Sequence, residues 1–313
     1  MDIRIRPLEE RDLAEADRIM RLAFGTFVGL PDPMQMFGDS DLARTRFRAD
    51  PTAALAAESD GKLVGSNFAS NWGSFGFFGP LSVDVPLWDQ KVAQKLLAPT
   101  VELFLKWGCT HSGLFTFSQS AKHAALYQKF DFWPRFLTPV MSKPVTQPPA
   151  LPGYVRFSDL GPEQKREALA ACRETTGKIY DGLDVSLETL SVDKQQLGDT
   201  ILILDNSKVT AFAVCHVGKG SEAGTDTCYI KFGAVRPSPS APAGFKHLLD
   251  ACEEYAALRG VKNLEAGTNM ARHESYRVMV SRGFRTVIQG VAMQKANEAG
   301  YNRPGVFVLD DWR

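Results

Sequence analysis

The sequence predicts an α/β protein built from two tandem copies of one mixed-sheet unit, and three observations predict it. A length of 313 residues exceeds one ordinary domain and suits two, and 44% hydrophobic against 23% charged residues lets each half bury a core. Residues 139–154, PVMSKPVTQPPALPGY, hold five prolines and no periodicity. Proline ends helices and serves strands poorly, so this stretch reads as a linker, with one domain at 1–147 and the second at 148–313. The halves also align at a constant offset of 152 residues: Ile5 on Phe157, Val83 on Val235, Leu96-Leu97 on Leu248-Leu249, Phe132 on Phe284, Met141 on Met293 and Lys143 on Lys295.

Within each half the periodicities run in one order. An alternating strand (residues 3–7; 154–158) leads into an amphipathic helix, LAEADRIMRLAF in the first half and QKREALAACRE in the second. Turns at Asp60-Gly61 and Asn206-Ser207, flanked by apolar runs, mark hairpins. A strand closes at Val83 or Val235, then come a turn and a long helix (93–107; 244–259). A further strand (112–118; 263–267), a second helix and a final apolar hairpin complete the unit. Such alternation implies a mixed sheet with helices on both faces.

Charge and cysteine usage narrow the function. Lysine plus arginine equals aspartate plus glutamate, 36 against 36, with no basic stripe to attract nucleic acid or an anionic membrane. The opening MDIRIRPLEERD has no apolar signal core, and no run approaches a membrane span. The five cysteines (Cys109, Cys172, Cys215, Cys228, Cys252) are odd in number and form no C-x-x-C pair. That argues against a disulfide framework or a zinc site and for a cytoplasmic protein with reduced thiols.

Two segments of the first half carry chemistry. In LSVDVPLWDQKVAQKLL the strand ending Leu81-Ser82-Val83 runs into a helix whose start keeps every N–H from Trp88 to Gln94. Donors and dipole at a helix start favour an anion. Asp89 is placed as the cap of that helix. In SQSAKHAALYQKFDF, Tyr127 follows Ser120 by seven residues, and Phe132 follows Tyr127 by five. A tyrosine hydroxyl is a donor able to protonate a thiolate, while at helical spacing with Leu126 and Phe130 it also reads as core.

This order of strand, turn, long helix, strand and helix resembles the GNAT superfamily of N-acetyltransferases, and the resemblance covers essentially the whole chain twice. It implies that Leu81, Ser82 and Val83 pair with the pantetheine arm of acetyl-CoA. It implies that Asp89, Gln90, Lys91, Val92, Ala93 and Gln94 wrap the pyrophosphate, with Ala93 matching the family's Q/R-x-x-G-x-G/A and Lys91 standing where glycine is usual. Ser120 takes the asparagine position and Tyr127 the general-acid tyrosine of N-x-x-A-x-x-x-Y, while Asp131 replaces the glycine of L-Y-x-x-x-G-F. The implied activity is direct transfer of an acetyl group from acetyl-CoA to an amine of a small molecule or peptide, without a metal.

The second half departs from that pattern. FGAVRPSPSAPAGFKH loses N–H groups at Pro237, Pro239 and Pro242, and the constant offset puts Met279, not Tyr276, opposite Tyr127. Four residues before Tyr127 on the same helix face, His123 belongs to the implied cofactor set; it would otherwise contact the acceptor, relay a proton or stay solvated. His111 and His273 have no cysteine or carboxylate at ligand spacing, so no metal is expected. Glu58 and Asp84 are the carboxylates nearest the expected cleft; each reads as a surface carboxylate or as a base that deprotonates an ammonium directly or through water. Residues 24–41, FGTFVGLPDPMQMFGDSD, read as an acceptor-binding loop or as a loop packed on the other half. Lys91, Asp131 and the eroded second half support a competing reading, a non-catalytic CoA-binding or regulatory protein. Transfer from a charged RNA would need a basic face that the balanced charge does not supply.

Overall fold

A computed structural model describes residues 2–146, 153–205 and 208–313; the 147/148 boundary and the Asn206-Ser207 turn lie outside them. The first half runs β1 (Arg4–Pro7), α1 (Leu13–Val28), α2 (Leu42–Ala49), β2 (Ala54–Ser59), β3 (Lys62–Trp72), β4 (Phe75–Phe78), β5 (Ser82–Val83), α3 (Val92–Lys106), β6 (His111–Phe117), α4 (Ala121–Gln128) and β7 (Trp133–Pro144). The second runs β8 (Tyr154–Arg156), α5 (Pro162–Ile179), α6 (Ser186–Gln195), β9 (Gly198–Asp205), β10 (Lys208–Gly218), β11 (Gly224–Val235), α7 (Ala241–Leu258), β12 (Asn263–Gly267), α8 (His273–Ser281), β13 (Arg285–Lys295) and β14 (Val308–Leu309). From β6, α4 and β7 to β12, α8 and β13 the starting residues differ by the predicted 152.

All described strands belong to one mixed sheet, in the order β1-β2-β3-β4-β6-β13-β7-β12-β11-β10-β9-β8, with β5 beside β3 and β14 beside β11. The pairings are antiparallel except β4 with β6 and β11 with β12. The closing hairpin expected in each half is absent, and the two halves exchange single strands instead. β13 of the second half pairs with β6 of the first, from Gly290 opposite Phe117 to Lys295 opposite Ser112. β7 of the first half pairs with β12 of the second, from Val140 opposite Gly267 to Pro144 opposite Asn263. Between them β7 and β13 run antiparallel, which fuses the two sheets.

The exchange carries the cores with it. Met293 packs among Leu97, Phe104 and Tyr127 of the first half, while Met141 packs among Leu249, Leu264 and Met279 of the second. Two prolines assigned to the linker therefore sit inside a strand. Pro139 is tolerated because its carbonyl faces the β12 side, where it accepts from Thr268 N–H just past the last residue of β12. Its missing N–H faces the same side and costs no ladder bond.

The faces bearing α2 and α6 meet at the centre. Trp72, Phe75 and Phe77 of the first half share a buried cluster with Phe157, Phe212 and Phe232 of the second. Charge is buried there as well: Arg46 pairs with Glu222 at 2.9 Å, and Lys231 bridges Glu222 at 2.7 Å and Glu188 at 3.0 Å. Opposite charges in contact let each ion leave water, since an unpaired one would cost several kcal/mol.

Candidate functional site

The site begins where β4 and β6 part company. These parallel strands pair only from Phe75 opposite His111 to Phe78 opposite Leu114. Beyond Phe78 the chain bends through Gly79-Pro80 to β5, which pairs with β3 alone, while β6 continues to Phe117 beside β13. The sheet splays between residues 81–83 and 115–117. In the β3–β5 ladder Ser66 faces Ser82 and Asp84 N–H bonds to Val64 O, so the even-numbered residues carry the bonds and Leu81 and Val83 turn their backbone groups into the splay. Val83 N–H has no partner among the described residues, but Val83 O accepts the Trp88 indole N–H at 2.9 Å.

Behind β5 the turn into α3 presents a row of donors. Asp89 (φ 65°) and Lys91 (φ 63°) adopt the left-handed conformation. Lys91 thus supplies the backbone geometry for which glycine is usual, at the modest cost a Cβ carries there. The first helical bond runs from Lys95 N–H to Lys91 O, which leaves the N–H groups of Asp89, Lys91, Val92, Ala93 and Gln94 without partners among the described residues. Alternating backbone conformations followed by a helix start form a concave anion cradle. Gln90 is tied back instead, its N–H to Leu87 O and its amide to Pro86 O. The capping role assigned to Asp89 is not observed. Lys91 holds the cap position without a side-chain bond, and Asp89 reaches across to Lys122 on α4 at 2.7 Å.

On the far wall, α4 starts at Ser120, whose hydroxyl caps the helix by accepting His123 N–H at 3.3 Å. Asp131 (φ 67°) ends that helical region in the conformation expected of the glycine it replaces. Tyr127 points inward and is 8% exposed, with its ring 5.8 Å from Phe78 at the apex of the splay. Leu81 joins the same apolar cluster. Burial pushes the Tyr127 pKa well above the usual tyrosine value, so the hydroxyl stays protonated at neutral pH, and it makes no hydrogen bond to another described residue. His123 is half-buried beside it, 6.4 Å from Tyr127 and 4.8 Å from Phe27. Burial, with the nearby Lys122 ammonium, lowers its pKa below the ordinary histidine value.

The carboxylates divide. Glu58 lies on β2, bound to Arg6 at 2.7 Å and opposite Arg4 of the edge strand β1. Asp84 stays at the end of β5, half-buried, in the field of Arg18. Among the described residues no group of three or more His, Cys, Asp or Glu is placed to hold a metal ion, and no helix is long and apolar enough to cross a membrane.

Residues 24–41 lie over the splay as the continuation of α1, and they pack on the other half of the chain. Gly25 allows the turn at Pro33 to fold back on the helix, since a Cβ there would sit 2.3 Å from Pro33 O. Arg21 staples the loop by donating to Met36 O, Gly38 O and Ser40 O at 2.6–2.7 Å. The second half grips it too: Asp41 N–H bonds to Ser221 O, Gly220 N–H to Asp39 O, and Thr225 N–H to the Asp39 carboxylate.

The matching position of the second half is built differently. Val235 faces Ala211 as Val83 faces Gly65, but Val235 N–H bonds to Phe307 O at 3.0 Å. β14 then pairs Val308 with Ala234 and Leu309 with Gly233, so the chain's own residues 307–309 fill the space beside β11. Nothing in the sequence reading assigned them that place. They are anchored by Asp310 on buried Arg272 at 2.6 Å and by Asp311, which accepts from Tyr229 at 3.0 Å. Met279 is buried among the second half's apolar residues, and Tyr276 packs at its margin. A separate open cavity of about 460 Å³ lies where the β3–β4 turn meets α5, but its Arg173 and Asp184 are paired with each other at 3.0 Å.

Residues 17–132 match the model of the acetyltransferase (GNAT) family. Across the whole chain the structure is similar to a candidate acetyltransferase from Pyrococcus horikoshii, with a TM-score of 0.69, 14% identity and coverage of 99% of this chain and 95% of that one. It is similar to a tandem GNAT protein from the clavulanic acid biosynthesis pathway, with a TM-score of 0.58, 14% identity and coverage of 94% and 98%. A GCN5-related N-acetyltransferase from Sphaerobacter thermophilus gives a TM-score of 0.58 at 14% identity, covering 94% and 95%. At that identity these likenesses establish the fold. No curated protein sequence matches the chain.

Proposed function

We propose, for a chain whose residues 17–132 belong to the GNAT acetyltransferase family and whose two halves both carry its fold, that the first half transfers an acetyl group from acetyl-CoA to an amine. The observation that carries this reading is the splay at Val83, flanked by the N–H cradle of residues 89–94 and closed at its apex by Tyr127. The pantetheine arm would lie along Leu81, Ser82 and Val83. The pyrophosphate would sit on the N–H groups of Asp89 and of Lys91, Val92, Ala93 and Gln94, with Gln90 shaping the turn. Ser120 and His123 line the opposite wall.

The amine attacks the thioester carbonyl, and Val83 N–H offers a donor to the oxyanion that forms. As the C–S bond breaks, the sulfur takes the Tyr127 proton, and the proton that the attacking nitrogen loses passes to a base or water in the cleft and on to the Tyr127 oxygen, leaving free CoA and the amide. The acceptor is a small-molecule or peptide amine, and no metal or nucleic acid enters the reaction. Five free thiols suit a cytoplasmic setting.

A second reading rests on Trp88. Its indole occupies Val83 O, which an incoming pantetheine amide would need, and Asp89–Lys122 spans the mouth of the splay. Under that reading the chain senses CoA without turning it over. Calorimetry with acetyl-CoA, combined with thiol release over an amine panel, separates the two: the enzyme binds one acetyl-CoA per chain and releases thiol. Binding without release from any amine supports the sensor, and absence of binding removes both.

A further inference from the structure

We propose that the amine accepted at the first cleft carries an aromatic or similarly flat apolar group, bound among Phe24, Phe27, Phe37 and Phe117; this rests on the acyl-transfer reading above. Phe24 and Phe27 stand three residues apart, hence on one face of α1, and that face crosses the splay. Phe117 ends β6, and Phe37 comes from the stapled loop. Their ring centroids lie 5.4 Å apart for Phe24–Phe37, 6.3 Å for Phe24–Phe117 and 5.1 Å for Phe27–Phe117. All four are half-buried, so they belong to none of the fully buried apolar clusters and keep ring surface available. Aromatic rings held at these separations favour an edge or offset contact with another ring.

The cations nearby are already committed. Arg21 serves Asp17 and three carbonyls, Lys122 serves Asp89, and Arg18 serves Glu15 with Asp84 in its field. Asp32 caps its own turn, and Asp39 holds Thr225. A carboxylate on the acceptor would lose water here without gaining an unpaired cation. The polar side chain that remains among the rings is His123, 4.8 Å from Phe27, whose ring nitrogens make no hydrogen bond to a described residue. One amine for the imidazole and one flat apolar group for the phenylalanines is the chemistry that these contacts recognise.

The test uses the full chain, saturating acetyl-CoA and CoA-thiol release with 2-phenylethylamine, tryptamine, ethanolamine and spermidine. The two aryl-alkyl amines should exceed the hydrophilic pair in kcat/KM by about 10-fold or more, the range one apolar group adds in a matching pocket. Phe27→Ala should raise KM for 2-phenylethylamine by about 10-fold while the calorimetric Kd for acetyl-CoA holds, which also verifies that the variant is folded. Equal or better turnover of ethanolamine or spermidine overturns the acceptor class and leaves acyl transfer standing. Failure to bind acetyl-CoA overturns the underlying reading instead. Should no amine turn over, calorimetry of 2-phenylethylamine against the CoA-saturated protein reads the site directly, and affinity no better than that of ethanolamine overturns the class.

Discussion

The two halves place equivalent valines at equivalent points and treat them in opposite ways. At Val83 the sheet opens and backbone donors face a splay. At Val235 the same edge is sealed by Phe307, Val308 and Leu309. A duplicated fold brings a strand edge with unmet hydrogen-bonding groups in each copy, and an exposed edge is a liability. One copy covers its edge with its own chain, and the other keeps it available. The sealed half still serves the open one, because it supplies β13 to complete the first sheet and grips the loop at Asp39 and Asp41.

The largest effect separating the halves should come from the seal. Leu309 is fully buried, so Leu309→Ala should lower the unfolding free energy by about 2–5 kcal/mol in urea titrations. Acetyl-CoA stoichiometry should stay at one per chain, because Pro242 has no N–H and Met279 no proton to give. A second binding site appearing in Leu309→Ala would turn the seal into a gate and erase the distinction. Next in size is the pair of tyrosines. Tyr127→Phe should lower kcat by about 10²-fold or more with CoA affinity kept, the lower end for losing a general acid, while Tyr276→Phe should change kcat less than twofold. Equal effects at both positions would break the asymmetry.

Much of this was legible in the sequence. The 152-residue offset reappears in the starts of β6 and β12, α4 and α8, and β7 and β13. What it could not contain was the exchange of β7 and β13, because an apolar strand specifies which face it buries and not which neighbour it joins. Pro139 misdirected the reading toward a linker, since its tolerance depends on where β12 ends. The seal was equally hidden. Asp310 and Asp311 look like solvent-facing charges until Arg272 and Tyr229, 38 and 82 residues away, are seen beside them. Lys91 and Asp131 read as departures from the glycine pattern, yet both adopt glycine's backbone conformation, which residue identity alone does not reveal. Glu58 is held by Arg6, a contact across 52 residues that the sequence does not reveal.

The smallest effect, and the finest test of the open half, is the pH dependence that His123 should confer. Burial between α1 and α4, reinforced by the Lys122 ammonium, disfavours the imidazolium, so the folded pKa lies below the ordinary 6.5. Tyr127 is pushed the opposite way and does not titrate in this range. In the window between the folded pKa and 6.5 the unfolded chain holds more protons than the folded one, so stability falls as pH drops through it. If the neutral imidazole takes a proton from the bound substrate ammonium to free the attacking amine, kcat/KM should stay level down to about pH 6.5 and decline only below it. Substrate ammonium ionises far above this range and adds no inflection near pH 6.5. His123→Gln should remove the acidic limb and lower the plateau by about 10-fold, less than a required base would cost because water can also accept the proton. An acidic limb that persists unchanged in His123→Gln would assign the titration elsewhere in the cleft, with Asp84 at the end of β5 the next group to replace.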